Sequence, residues 1–181
     1  MVGIYWDCDG TLMDTERAYA YAWQEVLSKR SLNLPIETFD DYVGIDDRLV
    51  HKKYAKEVSL PSFSETMDEI AALIINNFSD HTMYQDSLSC LNYFHDLEWS
   101  QACVSASPQK ALEDKLNKAN ISQYFTFVVG GDVVRPRNKP FPDIYNLAIQ
   151  KLNTTKNIIV EDSPPGIESG KASNNFVVAI D

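Results

Sequence analysis

The sequence predicts an α/β fold, a parallel sheet with helices on both faces, interrupted after its first strand by an all-helical insertion. Two observations carry this reading. Short apolar runs rich in Val, Ile and aromatic residues recur at 2–6, 101–105, 126–129, 157–160 and 176–180, with the length and composition of strands. Helix-period stretches at 111–120, 143–152 and 166–173 lie between the later runs. Strands and helices in strict alternation need crossover connections, and those make the strands parallel.

Taken in order, the run at 2–6 leads into an acidic turn, and the rhythm then breaks. Residues 18–30, 48–58 and 65–78 carry long helical patterns with no strand between them, punctuated by Pro35 and Pro61. Ser64, ahead of Met67, Ile70, Ala71, Leu73 and Ile74, reads as the cap of an amphipathic helix. Further along, Leu112 and Leu116 stand at i and i+4, and Ile144, Leu147, Ala148 and Leu152 form one apolar stripe. The expected division is a catalytic core over 1–14 and 84–181 with a helical cap over 15–83.

The 181 residues carry 16 basic and 26 acidic side chains, a net charge of −10. Such a field repels polyanions, so nucleic acid and anionic membranes are not expected partners, and an anionic substrate must be met locally. No apolar run reaches the roughly 18 residues that cross a bilayer, and Met1 to Tyr5 lack a basic secretory leader. Cys8, Cys90 and Cys103 are odd in number and show no metal-binding spacing, which points to a reducing cytoplasm. A monomer is the expected state.

Four polar segments stand at strand ends or helix starts. Asp7 and Asp9, at i and i+2 of an extended segment, project to one side, and Gly10 permits a sharp turn after them. Two close carboxylates repel unless a cation or a shared proton intervenes. Glu161 and Asp162 end the strand at 157–160, and ligands of open parallel sheets sit beyond such ends, so both acidic pairs can face one crevice. Oxygen ligands converging from two strand ends suit Mg²⁺ shared with a substrate phosphate. Ser105-Ala106-Ser107-Pro108 offers a hydroxyl and N–H groups at a helix start, and Lys139 stands among Pro140 and Pro142 before another helix. Each segment alone also fits a plain structural part: a solvated acidic turn, a helix N-cap or a surface lysine.

In combination and in this order, Asp-x-Asp-Gly-Thr, Ser, Lys-Pro-x-Pro-Asp and Glu-Asp-Ser resemble the four motifs of the haloacid dehalogenase superfamily, in the subclass with a small helical cap. The resemblance spans nearly the whole chain. It implies a Rossmann-like core and a Mg²⁺-dependent phosphomonoester hydrolase acting on a small phosphorylated metabolite, a sugar phosphate among the candidates. It implies Asp7 as the nucleophile that forms an aspartyl-phosphate, and Asp9 as the acid and base that protonates the leaving oxygen and then activates water. It places Mg²⁺ on Asp7, the backbone carbonyl of Asp9, Asp162 and Glu161, and phosphate oxygens on Ser105 and the N–H of Ala106. Lys139 then neutralises the nucleophile and the transferring group.

Alternatives from the same resemblance are a β-phosphoglucomutase-like sugar phosphomutase and a catalytically silent binding protein. The segment 14–21 has no histidine where mutases carry one, and Tyr19 stands there instead. Gly44-Ile45-Asp46-Asp47-Arg48 also departs from the mutase pattern at its arginine. Both departures favour the phosphatase. In the lysine loop Asn138 stands where relatives have glycine, and a left-handed Asn138 would keep the turn. Arg135 and Arg137 read as solvated loop charges, and Cys8 as a small buried hydrophobe.

Overall fold

The computed structural model describes residues 1–42, 47–76 and 82–180. Residues 44–46 of the cap motif therefore lie outside the described residues. In chain order the elements are β1 (Val2–Trp6), α1 (Thr15–Ser28), a 3₁₀ segment at Ile36–Tyr42, α2 (Asp47–Tyr54), α3 (Phe63–Asn76), α4 (Ser87–Asp96), β2 (Ser100–Ser105), α5 (Gln109–Lys118), β3 (Phe127–Gly130), α6 (Asp143–Leu152), β4 (Lys156–Glu161), α7 (Pro164–Ala172) and β5 (Phe176–Ala179). The chain divides into two compact units, Met1–Asp14 with Ser79–Asp181, and Thr15–Phe78.

The first unit is built on a five-stranded sheet in the order β3-β2-β1-β4-β5, every neighbouring pair parallel. All five strands fall where the apolar runs predicted them, within one or two residues at their ends. Successive β1 side chains point to opposite faces. Tyr5 joins Val104, Val129, Ile144, Tyr145 and Ala148 in a core under α6. On the other face Trp6 meets Phe94 of α4, with ring centroids 5.7 Å apart, and donates from its indole N–H to Gln101 Oε1 at 2.9 Å. The strand order changes direction where β2 and β4 flank β1, the position at which such sheets bind ligands beyond their carboxyl ends.

Helix α4 is absent from the elements expected of the sequence. Its polar and apolar residues alternate too loosely to stand out, yet it buries Leu91 completely and its carbonyl accepts from Gln101 Nε2 at 3.0 Å. Burying one leucine contributes about 2 kcal/mol. Tertiary contact with β2 defines this helix rather than its own pattern.

Among its described residues the second unit carries helices and no strand, with Trp23, Val26, Leu27, Phe39, Tyr54 and Ile70 in its core. Its last helix begins earlier than the sequence suggested, and the cap is Ser62 rather than Ser64. Ser62 Oγ accepts from the Glu65 N–H at 3.4 Å, while Glu65 Oε2 accepts from the Ser62 N–H at 3.0 Å, a reciprocal capping box. Those hydrogen bonds hold the Glu65 carboxyl below its usual range. No helix among the described residues is long and apolar enough to cross a membrane.

Ser62→Ala is expected to lower stability by about 1 kcal/mol, the usual worth of such a cap. A urea unfolding curve followed by circular dichroism reads it directly, and Ser64→Ala is expected to leave the midpoint in place.

Candidate active site

Asp7 is the first residue beyond β1, and its backbone N–H donates to the Val160 carbonyl at 3.0 Å, carrying the β1–β4 ladder one step past the strand. The N–H groups of Leu12 and Met13 both reach the Cys8 carbonyl at 3.0 Å, which folds the chain back at once. Cys8 is wholly buried between the two aspartates, as its alternation requires. Gly10 makes the turn possible in two ways. Its φ of +87° lies in the left-handed region, and a Cβ there would stand 2.1 Å from Asp162 Oδ2. Thr11 Oγ1 donates to Asp162 Oδ1 at 3.2 Å, so the residues after the aspartate pair form the seat of Asp162.

Glu161, the last residue of β4, is fully buried. Its Oε1 accepts from Tyr145 Oη at 2.6 Å and pairs with Lys139 Nζ at 2.6 Å, while Oε2 accepts from Ser163 Oγ at 3.2 Å. Gly166 lies so close that a Cβ would approach the Glu161 carboxylate to 2.0 Å. The Ser163 hydroxyl in turn accepts from the Gly166 N–H at 3.2 Å, capping α7.

Lys139 Nζ lies between the two acidic pairs. It donates to Asp7 Oδ1 at 2.5 Å and to the Val104 carbonyl at 3.0 Å besides its pair with Glu161, which accounts for all three of its protons. Its side chain is 4% exposed. The loop that delivers it is tied down by Asn138, whose Nδ2 donates to the Ala106 carbonyl at 3.1 Å and whose Oδ1 accepts from the Lys139 N–H at 2.8 Å. Asn138 is not left-handed, contrary to the sequence expectation. Its side chain makes the turn instead, between cis peptide bonds at Arg135–Pro136 and Lys139–Pro140. Arg137 Nε pairs with Asp143 at 2.8 Å and its guanidinium lies over the Phe141 ring, so this charge is spent within its own loop.

Asp7, Glu161 and Asp162 can each place one carboxylate oxygen within 4.8 Å of the others, and among the described residues this is the group able to close on one cation. The Asp9 side chain is not part of it. Its Oδ2 accepts from Ser105 Oγ at 3.0 Å and Ser107 Oγ at 2.9 Å, and its Oδ1 pairs with the ammonium of Lys115. The Ser107 N–H donates to Ser105 Oγ at 3.1 Å, which draws the start of α5 round Asp9.

Charge crowding leaves its mark on the titration of these groups. Burial pushes the Asp7 carboxyl up to about 7; Lys139 pulls it back in part, and the charges of Glu161 and Asp9 add to the rise. Burial disfavours the Lys139 ammonium, but Asp7 and Glu161 outweigh that and hold its pKa above the ordinary value. Lys139 therefore stays charged, and Asp7 is the member of the pair that titrates near neutrality. Burial raises Asp162 as well, with Glu161 adding to it, and raises Tyr145 well above the phenol range.

A buried carboxylate on a saturated lysine, with two further carboxylates beside it, thus stands at the switch point of the parallel sheet. The sequence profile of the haloacid dehalogenase-like hydrolase family matches residues 4–180, and the chain belongs to that family. It is 26% identical over 180 residues to a phosphorylated carbohydrates phosphatase of Thermotoga maritima, covering 96% of this chain and 82% of that protein. It is 28% identical over 181 residues to a phosphoglycolate phosphatase of Vibrio vulnificus, covering 93% and 78%. Fructose-1-phosphate phosphatase YqaB of Escherichia coli is 24% identical over 185 residues, covering 98% and 95%. A crystal structure from Thermotoga maritima, described as that of a candidate β-phosphoglucomutase, superposes with a TM-score of 0.87 at 22% identity, covering 100% of this chain and 86% of that one. It shares the fold.

Asp7, Asp9, Ser105, Lys139, Glu161 and Asp162 thus come together at the carboxyl edge of one sheet. Thr11, Ser107 and Ser163 stood in the sequence motifs without a role of their own, and Lys115 and Tyr145 were passed over. Lys115 had left a trace, because it falls on the apolar Leu112–Leu116 face of its helix, where a lysine is out of place.

Lys139→Met removes the partner of two buried carboxylates and is expected to cost about 3 to 5 kcal/mol, measured by chemical denaturation without added metal. Asp7 carries a pKa above its unfolded value near 3.8, so the stability it contributes is complete below that pH and lost as the pH rises through about 7. Urea midpoints of the metal-free protein from pH 5 to 8 are expected to fall less steeply in Asp7→Asn than in the wild type.

Proposed function

We propose that the protein is a Mg²⁺-dependent phosphomonoester hydrolase acting on a small phosphorylated metabolite through an aspartyl-phosphate on Asp7. One observation carries the reading: Asp7 sits buried on Lys139 beside the acidic pair that ends β4, with Asp9 beside two serine hydroxyls on the neighbouring strand end. Relatives named as phosphatases of phosphorylated carbohydrates, phosphoglycolate and fructose 1-phosphate support the phosphoester class.

The donor set fits Mg²⁺. Its groups are hard carboxylate oxygens, and the three carboxylates of Asp7, Glu161 and Asp162 against Lys139 leave a formal charge of −2, which one divalent cation balances. Asp7, Asp162 and the backbone carbonyl of Asp9 would hold the ion, with Glu161 supporting it. The ion when bound supplies neutralisation of phosphate charge as the phosphorus is attacked.

The chain's own residues account for the remaining chemistry. Lys139 fixes Asp7 Oδ1 and so orients the carboxylate for attack on phosphorus. The new Asp7–phosphorus bond forms as the bond to the ester oxygen breaks, and Asp9 gives that oxygen a proton. Asp9 next takes a proton from water, whose oxygen displaces Asp7 and frees inorganic phosphate. Ser105 and the N–H of Ala106 receive phosphate oxygens, and Lys139 offsets their charge.

Phosphate release from p-nitrophenyl phosphate and a panel of phosphometabolites is expected with Mg²⁺, is expected to disappear with EDTA, and should fall at least about a thousandfold in Asp7→Asn. Aluminium fluoride with Mg²⁺ is expected to raise the melting temperature by mass action. Isomerisation of glucose 1-phosphate without net release would establish a mutase instead. Neither turnover nor a thermal response would leave a silent binding protein.

A further inference from the structure

The reading above gives Asp9 its task but not the means of holding it in place. Lys115 points to that means. It stands in the last turn of α5, with its side chain 9% exposed, on the face that carries Leu112 and Leu116. An apolar residue there would extend the stripe, and burying an ammonium costs several kcal/mol unless a partner is fixed opposite it. The partner is Asp9 Oδ1. Lys115 Nζ also lies 3.3 Å from Ser107 Oγ, and that hydroxyl donates to Asp9 Oδ2 at 2.9 Å. Lysine and serine therefore grip both oxygens of one carboxylate, with Ser105 as a third donor at 3.0 Å.

The grip has a direction. Asp9 is turned toward the end of β2 and the start of α5, where Ser105 and Ser107 lie, and its carboxylate stays out of the group formed by Asp7, Glu161 and Asp162. In a site this rich in carboxylates, an untethered Asp9 would be drawn to any cation bound among the other three. We propose that Lys115, acting with Ser107, is the positioning residue of Asp9: it keeps the acid–base carboxylate beside Ser105 and away from the cation group. This rests on the phosphatase reading for its consequence in turnover, while the placement of Asp9 is open to test independently of turnover.

Phenyl phosphate and p-nitrophenyl phosphate differ chiefly in how much help their leaving oxygen needs from an acid, so they separate an effect on Asp9 from a general loss. In Lys115→Met, kcat for phenyl phosphate is expected to fall by about 10² and that for p-nitrophenyl phosphate several-fold less, with KM for both within about threefold of wild type. Lys115→Arg is expected to recover part of the loss. Ser107→Ala, which leaves the buried charge pair intact, is expected to show the same leaving-group dependence in milder form, and it carries the test if Lys115→Met fails to fold. A crystal structure of the Lys115→Met or Ser107→Ala variant is expected to show the Asp9 carboxylate released from Ser105. Equal losses on the two substrates, a change confined to KM, or an Asp9 that stays on Ser105 in the variants would overturn the proposal. A wild type that hydrolyses neither ester would sink the phosphatase reading, and the crystal structures would still decide the placement of Asp9.

Discussion

Like charge is the constraint around which the core unit is organised. Asp7, Asp9, Glu161 and Asp162 come from two adjacent strand ends, and the parallel register of β1 with β4 brings them level whatever their mutual repulsion. Their proximity is tolerable because Lys139 stands between Asp7 and Glu161 with all three protons engaged, while Lys115 pairs with Asp9. The surrounding loops serve that arrangement. Asn138 holds the lysine loop against the Ala106 carbonyl, Tyr145 and Ser163 supply hydrogen bonds to Glu161, and Thr11 steadies Asp162. Among the described residues no buried polar side-chain atom lacks a partner, as such a concentration of charge demands.

The division of labour between the two lysines follows from their surroundings. Lys139 reaches Asp7 and Glu161 from a loop stiffened by prolines. Lys115 approaches from a helix and pairs with Asp9. One lysine thus answers to Asp7 and the other to Asp9, which keeps apart two carboxylates only two residues distant in the chain.

Much of this was legible beforehand. Alternation of apolar runs and helical periods placed all five strands, the inner ones because a buried parallel strand must be apolar along its length, and the largely exposed edge strand β5 by its apolar composition alone. The motif residues were legible because each stands at a strand end or a helix start. Other features were harder to see. Helix α4 has a weak pattern of its own and is defined by its packing on β2, and the cap of α3 lay at Ser62 rather than Ser64 because side-chain reciprocity with Glu65 decides between neighbouring serines. The left-handed turn expected at Asn138 was replaced by side-chain hydrogen bonds, a choice that depends on the Ala106 carbonyl, 32 residues away.

The amino-acid sequence by itself determined the fold class, the strands, and the residue types assembled at their carboxyl ends, because burial and turn chemistry are local and periodic. Only the tertiary structure decided which charges meet. That Lys139 would join Asp7 to Glu161, that Asp9 would turn away from the other acids, and that Lys115 would be buried to hold it all depend on contacts between residues far apart in the chain. Electrostatic energy at these distances is set by separations of a few ångströms and by exclusion of water, and neither exists until the sheet has brought its edges together.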